Sequence, residues 1–173
     1  MPTPDVCRLT TVSAAQIQAL ADVLIDCVEG GASVGFMLPL GRLKAVAFWQ
    51  RVADGVTTGD RVLLVAEDGH GIVGTVQLVL AQPDNQPHRA DLAKMLVHRR
   101  ARRSGLGMAL LQAAETAARQ AGKTLLVLDT ASPDAERLYA RGGWTDCGTV
   151  PGYALLPQGG LCSTRFFYRD LLA

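Results

Sequence analysis

Apolar residues recur three and four positions apart at Ile17, Leu20, Ala21, Leu24, Cys27 and Val28, which lines one face of a helix. Ser13 with Gln16 three residues later forms a capping box at its start, and Gly30-Gly31 stops it. Before it, Val6 to Val12 predicts a short first strand. After it, Ala32 to Gly41 is apolar but broken by Gly35, Pro39 and Gly41, which predicts a loop that is not simply solvated. A second helix is expected over Arg42 to Val56. Arg61 to Glu67 and Ile72 to Ala81 are β-rich runs joined by Asp68-Gly69-His70-Gly71, a hairpin signal. A loop with two prolines, Gln82 to His88, precedes a strand over Arg89 to Val97. Gly105 to Gln120 is helical in pattern, with Gly122 as its cap. Leu125 to Leu128 is a short continuous apolar run, as in a strand buried on both faces. Ser132-Pro133-Asp134 opens a helix that ends at Gly142-Gly143. Trp144 to Val150 and Thr164 to Tyr168 read as closing strands. The order β-α-α-β-β-β-α-β-α-β-β predicts an α/β fold, a mixed single-layer sheet covered by helices. With 173 residues and no repeat or linker, one domain over residues 1–173 is expected.

Composition narrows the function classes. An apolar fraction of 49% excludes a disordered chain. Seventeen basic against 16 acidic side chains, a net of +1, give no global field for a nucleic acid or a membrane surface. No apolar run approaches the roughly 20 residues that cross a bilayer. The N-terminal segment MPTPDVCRLT lacks the features of a secretory signal. Cys7, Cys27, Cys147 and Cys162 are scattered without a paired or histidine-flanked arrangement, so no metal site or disulfide framework is expected. These features point to a cytoplasmic enzyme or binding domain, with Cys147 expected to be buried rather than nucleophilic.

The stretch Lys94-Met95-Leu96-Val97-His98-Arg99-Arg100-Ala101-Arg102-Arg103-Ser104-Gly105-Leu106-Gly107 carries the most chemical information. A strand runs into a basic loop, and glycines open a helix. The first turn of a helix has unpaired N–H groups and a partial positive charge. Glycines there admit a phosphate close to the backbone, and four arginines between positions 99 and 103 add charge. A diphosphate suits this loop. The Walker pattern fails because Met108 and Ala109 follow Gly107. The dinucleotide fingerprint fails for want of a third glycine.

At these residues the chain resembles the GNAT superfamily of acetyl-CoA-dependent N-acetyltransferases. Arg102-Arg103-Ser104-Gly105-Leu106-Gly107 matches the family's Arg/Gln-x-x-Gly-x-Gly/Ala loop, and the element order matches along nearly the whole chain. More narrowly, Gly30 to Met37, Leu126 to Thr130 and Pro151-Gly152-Tyr153 resemble the tabtoxin-resistance type of acetyltransferase. The resemblance implies a mostly antiparallel sheet in which the strands at Arg89–Val97 and Leu125–Leu128 are parallel and splay apart. It implies that Met95, Leu96 and Val97 face acetyl-CoA along the strand, with Met95 and Val97 offering backbone groups. Arg102, Arg103, Ser104, Gly105, Leu106, Gly107 and Met108 would wrap the pyrophosphate. Arg99 departs from the proline that many relatives carry after the strand.

Acetyl transfer requires a neutral amine, and a lysine-like amine has a pKa of about 10.4, so a base or a water relay must take its proton. A strand N–H near Met95–Val97 could stabilise the developing oxyanion. The departing thiolate benefits from a proton donor. The resemblance points to Tyr139 as that donor. Two carboxylates compete for the base: Asp91, six residues before Val97, and Asp129 at the end of the buried strand, which the narrower resemblance favours. Thr130 beside it is a candidate substrate contact. His98 lies at the mouth of the proposed slot but reads as a surface residue.

Gly30 to Gly41, apolar and flexible, is expected to cover the acceptor side, with Ser33 and Phe36 contacting substrate. The chain offers no acidic cluster for a basic peptide tail. A small-molecule amine, amino-acid-like or an antibiotic, is the expected acceptor; a homodimer is compatible with this reading, and no metal is required. The rival from another class is a non-catalytic acyl-CoA-binding module on the same fold.

Overall fold

The chain runs through β1 (Val6–Leu9), α1 (Ala14–Glu29), α2 (Arg42–Thr58), β2 (Arg61–Asp68), β3 (Gly71–Val79), β4 (Arg89–Val97), a 3-10 turn (Arg99–Ala101), α3 (Leu106–Gln120), β5 (Leu125–Thr130), α4 (Pro133–Arg141), β6 (Thr145–Leu155) and β7 (Leu161–Asp170). The computed structural model describes residues 5–173, so residues 1–4 of the N-terminal segment read above lie outside the described residues. The predicted element order is realised. The capping box of α1 forms in both directions: Gln16 N–H donates to Ser13 Oγ at 3.1 Å, and Ser13 N–H donates to Gln16 Oε1 at 2.8 Å. Gly122, at φ +73, ends α3, where Lys123 N–H donates back to the Ala118 carbonyl at 2.9 Å. No described helix is long and apolar enough to cross a membrane.

The seven strands form one sheet in the order β1-β2-β3-β4-β5-β7-β6. Every pairing is antiparallel except β4 with β5. Two cores lie on its two faces. On one, α3 and Tyr139 of α4 cover Val62, Leu64, Val76, Leu78, Ala90, Leu92, Leu126 and Leu128. On the other, α1 and α2 cover Leu63, Val65, Ile72 and Leu96, with Trp49 wholly buried.

Three expectations need correction. The Leu125–Leu128 strand is buried on one face, not two: Leu126 and Leu128 are buried while Leu125 and Val127 are half-buried. The physical reason is that α1 and α2 lie over β2, β3 and β4, leaving β5 less covered on that side. The closing hairpin is longer than predicted, because register shifts at Asp146/Gly148 and Val150/Ala154 carry β6 past Pro151-Gly152. Cys147 is exposed, since β6 is an outer strand with almost no covering layer.

The seat of α3 depends on a glycine in β3. A Cβ at Gly74 would lie 3.0 Å from both Leu106 Cδ2 and Leu110 Cδ1. Gly74→Val should therefore lower stability by about 1–3 kcal/mol through overpacking, read as a drop in thermal midpoint, with Gly74→Ala milder. A valine variant as stable as the native protein would show that α3 is not held this tightly.

Candidate active site

The parallel pair β4–β5 is short. Arg89, Ala90 and Asp91 pair with Leu125, Leu126 and Val127, and the pairing ends there although both strands continue. Two residues later β4 bulges. Gln77 of β3 faces Ala93 and Thr75 faces Leu96, so β4 advances three residues where β3 advances two. Lys94, in the extra stretch, has φ +51. The inserted residue reverses the alternation of side chains. Ala90 and Leu92 join the α3 core before it; Met95 and Val97 pack toward that core after it, and Leu96 turns to the α1–α2 core.

The bulge also aims the backbone. His98 N–H donates to the Val73 carbonyl at 2.8 Å, toward β3. By alternation the backbone groups of Val97, and of Met95 in step with it, point to the side from which β5 has departed. Consistent with that, the Val97 carbonyl accepts from side chains, Arg102 Nε at 3.2 Å and the Cys27 thiol at 3.5 Å.

The loop beyond β4 presents amides. Arg103 (φ +61) and Gly105 (φ +83) both take left-handed conformations, and Gly105 caps α3 without any side-chain cap. The first helical bond runs from Ala109 N–H to the Gly105 carbonyl, so the N–H groups of Leu106, Gly107 and Met108 precede the helical ladder. Together they present three amides outside the helical ladder at a helix start, an arrangement whose chemistry suits an anion. Ser104 Oγ donates to the Ala101 carbonyl at 2.7 Å, bracing the turn, and the Leu106 side chain is buried in the core. Gly107 admits α4: a Cβ there would stand 3.2 Å from Leu138 Cδ2.

The four arginines divide. Arg99 binds Asp26 through its N–H at 2.8 Å and Nε at 2.9 Å, and Arg100 pairs with Asp68. Both are clamps that fix the loop to α1 and to the β2–β3 hairpin. Of the four, Arg102 and Arg103 are left to add charge beside the seat. His98 is half-buried, with Nε2 3.6 Å from Asp26 Oδ1, and belongs to the clamp rather than the slot.

The opposite face of the splay collects the other candidates. Asp129 is exposed there and accepts a hydrogen bond from Thr164 Oγ1 at 2.7 Å. Asp91 lies lower, in the paired stem opposite Val127, where it is bound by Arg89 and by Gln82 Nε2 at 3.1 Å. Thr130 is turned to the opposite face by alternation, and its Oγ1 accepts the Ser132 N–H at 3.2 Å. That hydrogen bond lies just before the first turn of α4. The α1–α2 loop does reach this region: Ser33 Oγ donates to the Leu155 carbonyl at 3.2 Å, and Leu38 N–H donates to the Pro157 carbonyl at 2.9 Å. Ser33 therefore docks the loop onto the β6–β7 hairpin. Phe36 stands edge-on to Phe48 at 5.3 Å.

Tyr139 is only 4% exposed, its ring 5.7 Å from Trp144 and 5.8 Å from Phe167. Burial, and to a lesser degree the Asp129 carboxylate, push its phenol well above the ordinary range, so it stays protonated.

Lys94 is the residue the sequence reading passed over. It is half-buried, with Nζ 5.5 Å from the centroid of the Phe48 ring. Burial pulls its ammonium below the ordinary range, partly opposed by Asp129. Its one sequence signal was a charge inside the apolar run Leu92–Val97. Among the described residues, no group of three or more His, Cys, Asp or Glu side chains is placed to hold a metal ion.

A family model described as an acetyltransferase (GNAT) domain matches residues 59–146. Solved structures share the fold over nearly their full length. A GNAT superfamily phosphinothricin acetyltransferase from Sinorhizobium meliloti, in complex with acetyl-CoA, is 18% identical with a TM-score of 0.78, covering 98% of this chain and 89% of its own. An N-acetyltransferase from Staphylococcus aureus Mu50 is 15% identical (TM-score 0.79, 96% and 99% covered). A ribosomal-protein-alanine N-acetyltransferase from Brucella melitensis is 21% identical (TM-score 0.78, 96% and 99% covered).

The clamp on the loop is testable by titration. Burial would raise the Asp26 carboxyl, but the Arg99 N–H and guanidinium, with His98 nearby, outweigh it and hold the group below the ordinary carboxylate range. A depressed folded-state pKa stabilises above the unfolded value and is lost as pH falls. Asp26→Asn should be less stable than the native protein by about 1–2 kcal/mol at pH 6, and the gap should close as pH falls below about 4. Chemical denaturation across that range checks it; a gap that ignores pH would dismiss the charged clamp.

Proposed function

This chain belongs to the GNAT acetyltransferase family, and from that premise we propose that it carries acetyl directly from acetyl-CoA to the amino group of a small molecule, as one domain over residues 1–173. The enzyme is an acyltransferase with acetyl-CoA as donor. The observation that carries the acceptor side of the reading is the parting of β4 from β5 beyond Asp91/Val127, with an amide seat at one side and Asp129 at the other.

Acetyl-CoA supplies an activated acyl group as a thioester. The N–H groups of Leu106, Gly107 and Met108, with Arg102 and Arg103, bind its diphosphate. Gly105 and Ser104 shape that turn, and the backbone groups of Met95 and Val97, flanking Leu96, align the pantetheine arm. Asp129, oriented by the Thr164 hydroxyl, takes the proton of the incoming amine directly or through a water. Tyr139 gives its hydroxyl proton to the departing sulfur. Its burial supports this assignment, because a phenol kept neutral is a donor across the neutral pH range. Asp91, engaged by Arg89 and Gln82, is the weaker base.

The α1–α2 loop, with Phe36 against Phe48 and Ser33 fixing its position, closes the acceptor side. Its uncharged, apolar composition supports a small acceptor, amino-acid-like or an antibiotic, in keeping with the tabtoxin-type resemblance of Gly30 to Met37. Four free cysteines support a cytoplasmic setting.

Two variants test the roles. Tyr139→Phe should bind CoA as the native protein does while kcat falls by about 100-fold or more; native-like turnover across the pH range would remove Tyr139 from proton transfer. Gly105→Glu brings a side chain and a negative charge to a left-handed position in the anion seat, and should weaken CoA binding by about 100-fold or more. Unchanged affinity by calorimetry would remove the diphosphate assignment.

A further inference from the structure

Lys94 and Asp129 stand on the two strands that part, both on the face covered by the α1–α2 loop. They carry opposite charge, yet no ion pair or hydrogen bond joins them among the described residues, although the Asp129 carboxylate partly offsets the effect of burial on the Lys94 ammonium. Neighbouring charges are satisfied differently. Arg61 donates to Gln77 Oε1 at 2.6 Å, Asp91 is bound by Arg89, and Arg165 lies 3.2 Å from Glu136 and 3.5 Å from Asp146.

The position of Lys94 is built rather than incidental. Its backbone sits at φ +51, a conformation that a residue with a side chain enters only when its surroundings impose it. Gly35, at φ +93, lets the α1–α2 loop pass over it: a Cβ at Gly35 would lie 3.9 Å from Lys94 Nζ. The Phe48 ring beneath adds a cation–π attraction, which does not replace a lost hydration shell. Burial accordingly depresses the ammonium, and the Asp129 carboxylate, not in contact with it, opposes this only in part.

We infer that the acceptor is an amine carrying an anionic group close to its nitrogen, an α-amino acid or analogue, and that Lys94 Nζ binds the anion while Asp129 receives the amine. This assignment deepens the acetyl-transfer reading and rests on it. The ammonium gains an anion in direct contact, which Asp129 does not give it, and the carboxylate opposite meets the nitrogen that must lose a proton. Lys94 is therefore a specificity-determining residue: it selects amino acids against neutral amines of the same shape.

The test is calorimetric titration of the CoA-loaded chain with the standard α-amino acids and their carboxamides, in the native protein, Lys94→Met and Lys94→Arg. A charge-assisted contact is worth about 10- to 100-fold in affinity. At least one amino acid should bind the native protein about tenfold or more tightly than its carboxamide. Lys94→Met should bring that ratio close to one, and Lys94→Arg should restore it. Absence of any acid-over-amide preference in the native protein, or its survival in Lys94→Met, overturns the assignment. Free-thiol release with the same panel, from acetyl-CoA, separates the two readings. An acid preference without thiol release would overturn acetyl transfer and leave the anion anchor standing. Equal thiol release from acids and carboxamides would overturn the anchor and leave transfer standing.

Discussion

One extra residue in β4 sets the geometry on which everything else in this molecule depends. Opposite two residues of β3, three residues of β4 must be accommodated, and the chain does so by turning Lys94 into the left-handed region. The consequences are mechanical. Side chains beyond the bulge change faces, the strand bends, and β4 can no longer follow β5, whose pairing has ended at Asp91 and Val127. A sheet would ordinarily close those backbone groups in a ladder. Here they are left without a strand partner, because β5 parts from β4 after Val127 while its other edge stays paired with β7 along its whole length.

The loop before α3, where the proposed anion seat lies, is tied down from three directions. Arg99 fastens it to Asp26 of α1, Arg100 to Asp68 of the β2–β3 hairpin, and Ser104 to its own turn. Close packing of α3 on Gly74 fixes the helix behind it. Preorganised amides need no rearrangement when an anion arrives, which is where such sites gain over flexible cationic side chains. The acceptor side is organised differently. Its cover is a loop held by the Ser33 hydroxyl and the Leu38 N–H, both donating to carbonyls of the β6–β7 hairpin, and its charges come from side chains on parted strands.

Much of this was legible in the sequence because the signals are local. Helix periodicity, the Ser13–Gln16 box, Gly122 and the Ser132–Pro133 start each depend on residues within a turn or two of one another, and each is found where the pattern places it. The Gly105–Gly107 loop was legible for the same reason. What escaped depends on partners distant in sequence. Nothing near Arg99 or Arg100 announces Asp26 or Asp68. The bulge at Lys94 is a pairing event between strands, so its charge read as one more residue in an apolar run. Register sets Asp91 in the closed stem and Asp129 at the open end, a difference that no residue local to either one announces. Thr130 read as a neighbour of Asp129, whereas alternation along the strand sets the two on opposite faces.

The central claim is that the backbone of β4 beyond its bulge, with the first turn of α3, is the surface that takes acetyl-CoA. Amide hydrogen exchange followed residue by residue, with and without CoA, tests it most directly. Binding should slow exchange at Met95, Val97, Leu106, Gly107 and Met108 by about tenfold or more, while Arg89 to Asp91 in the paired stem stay as they were. Protection that falls elsewhere and leaves those five amides unchanged would contradict the account.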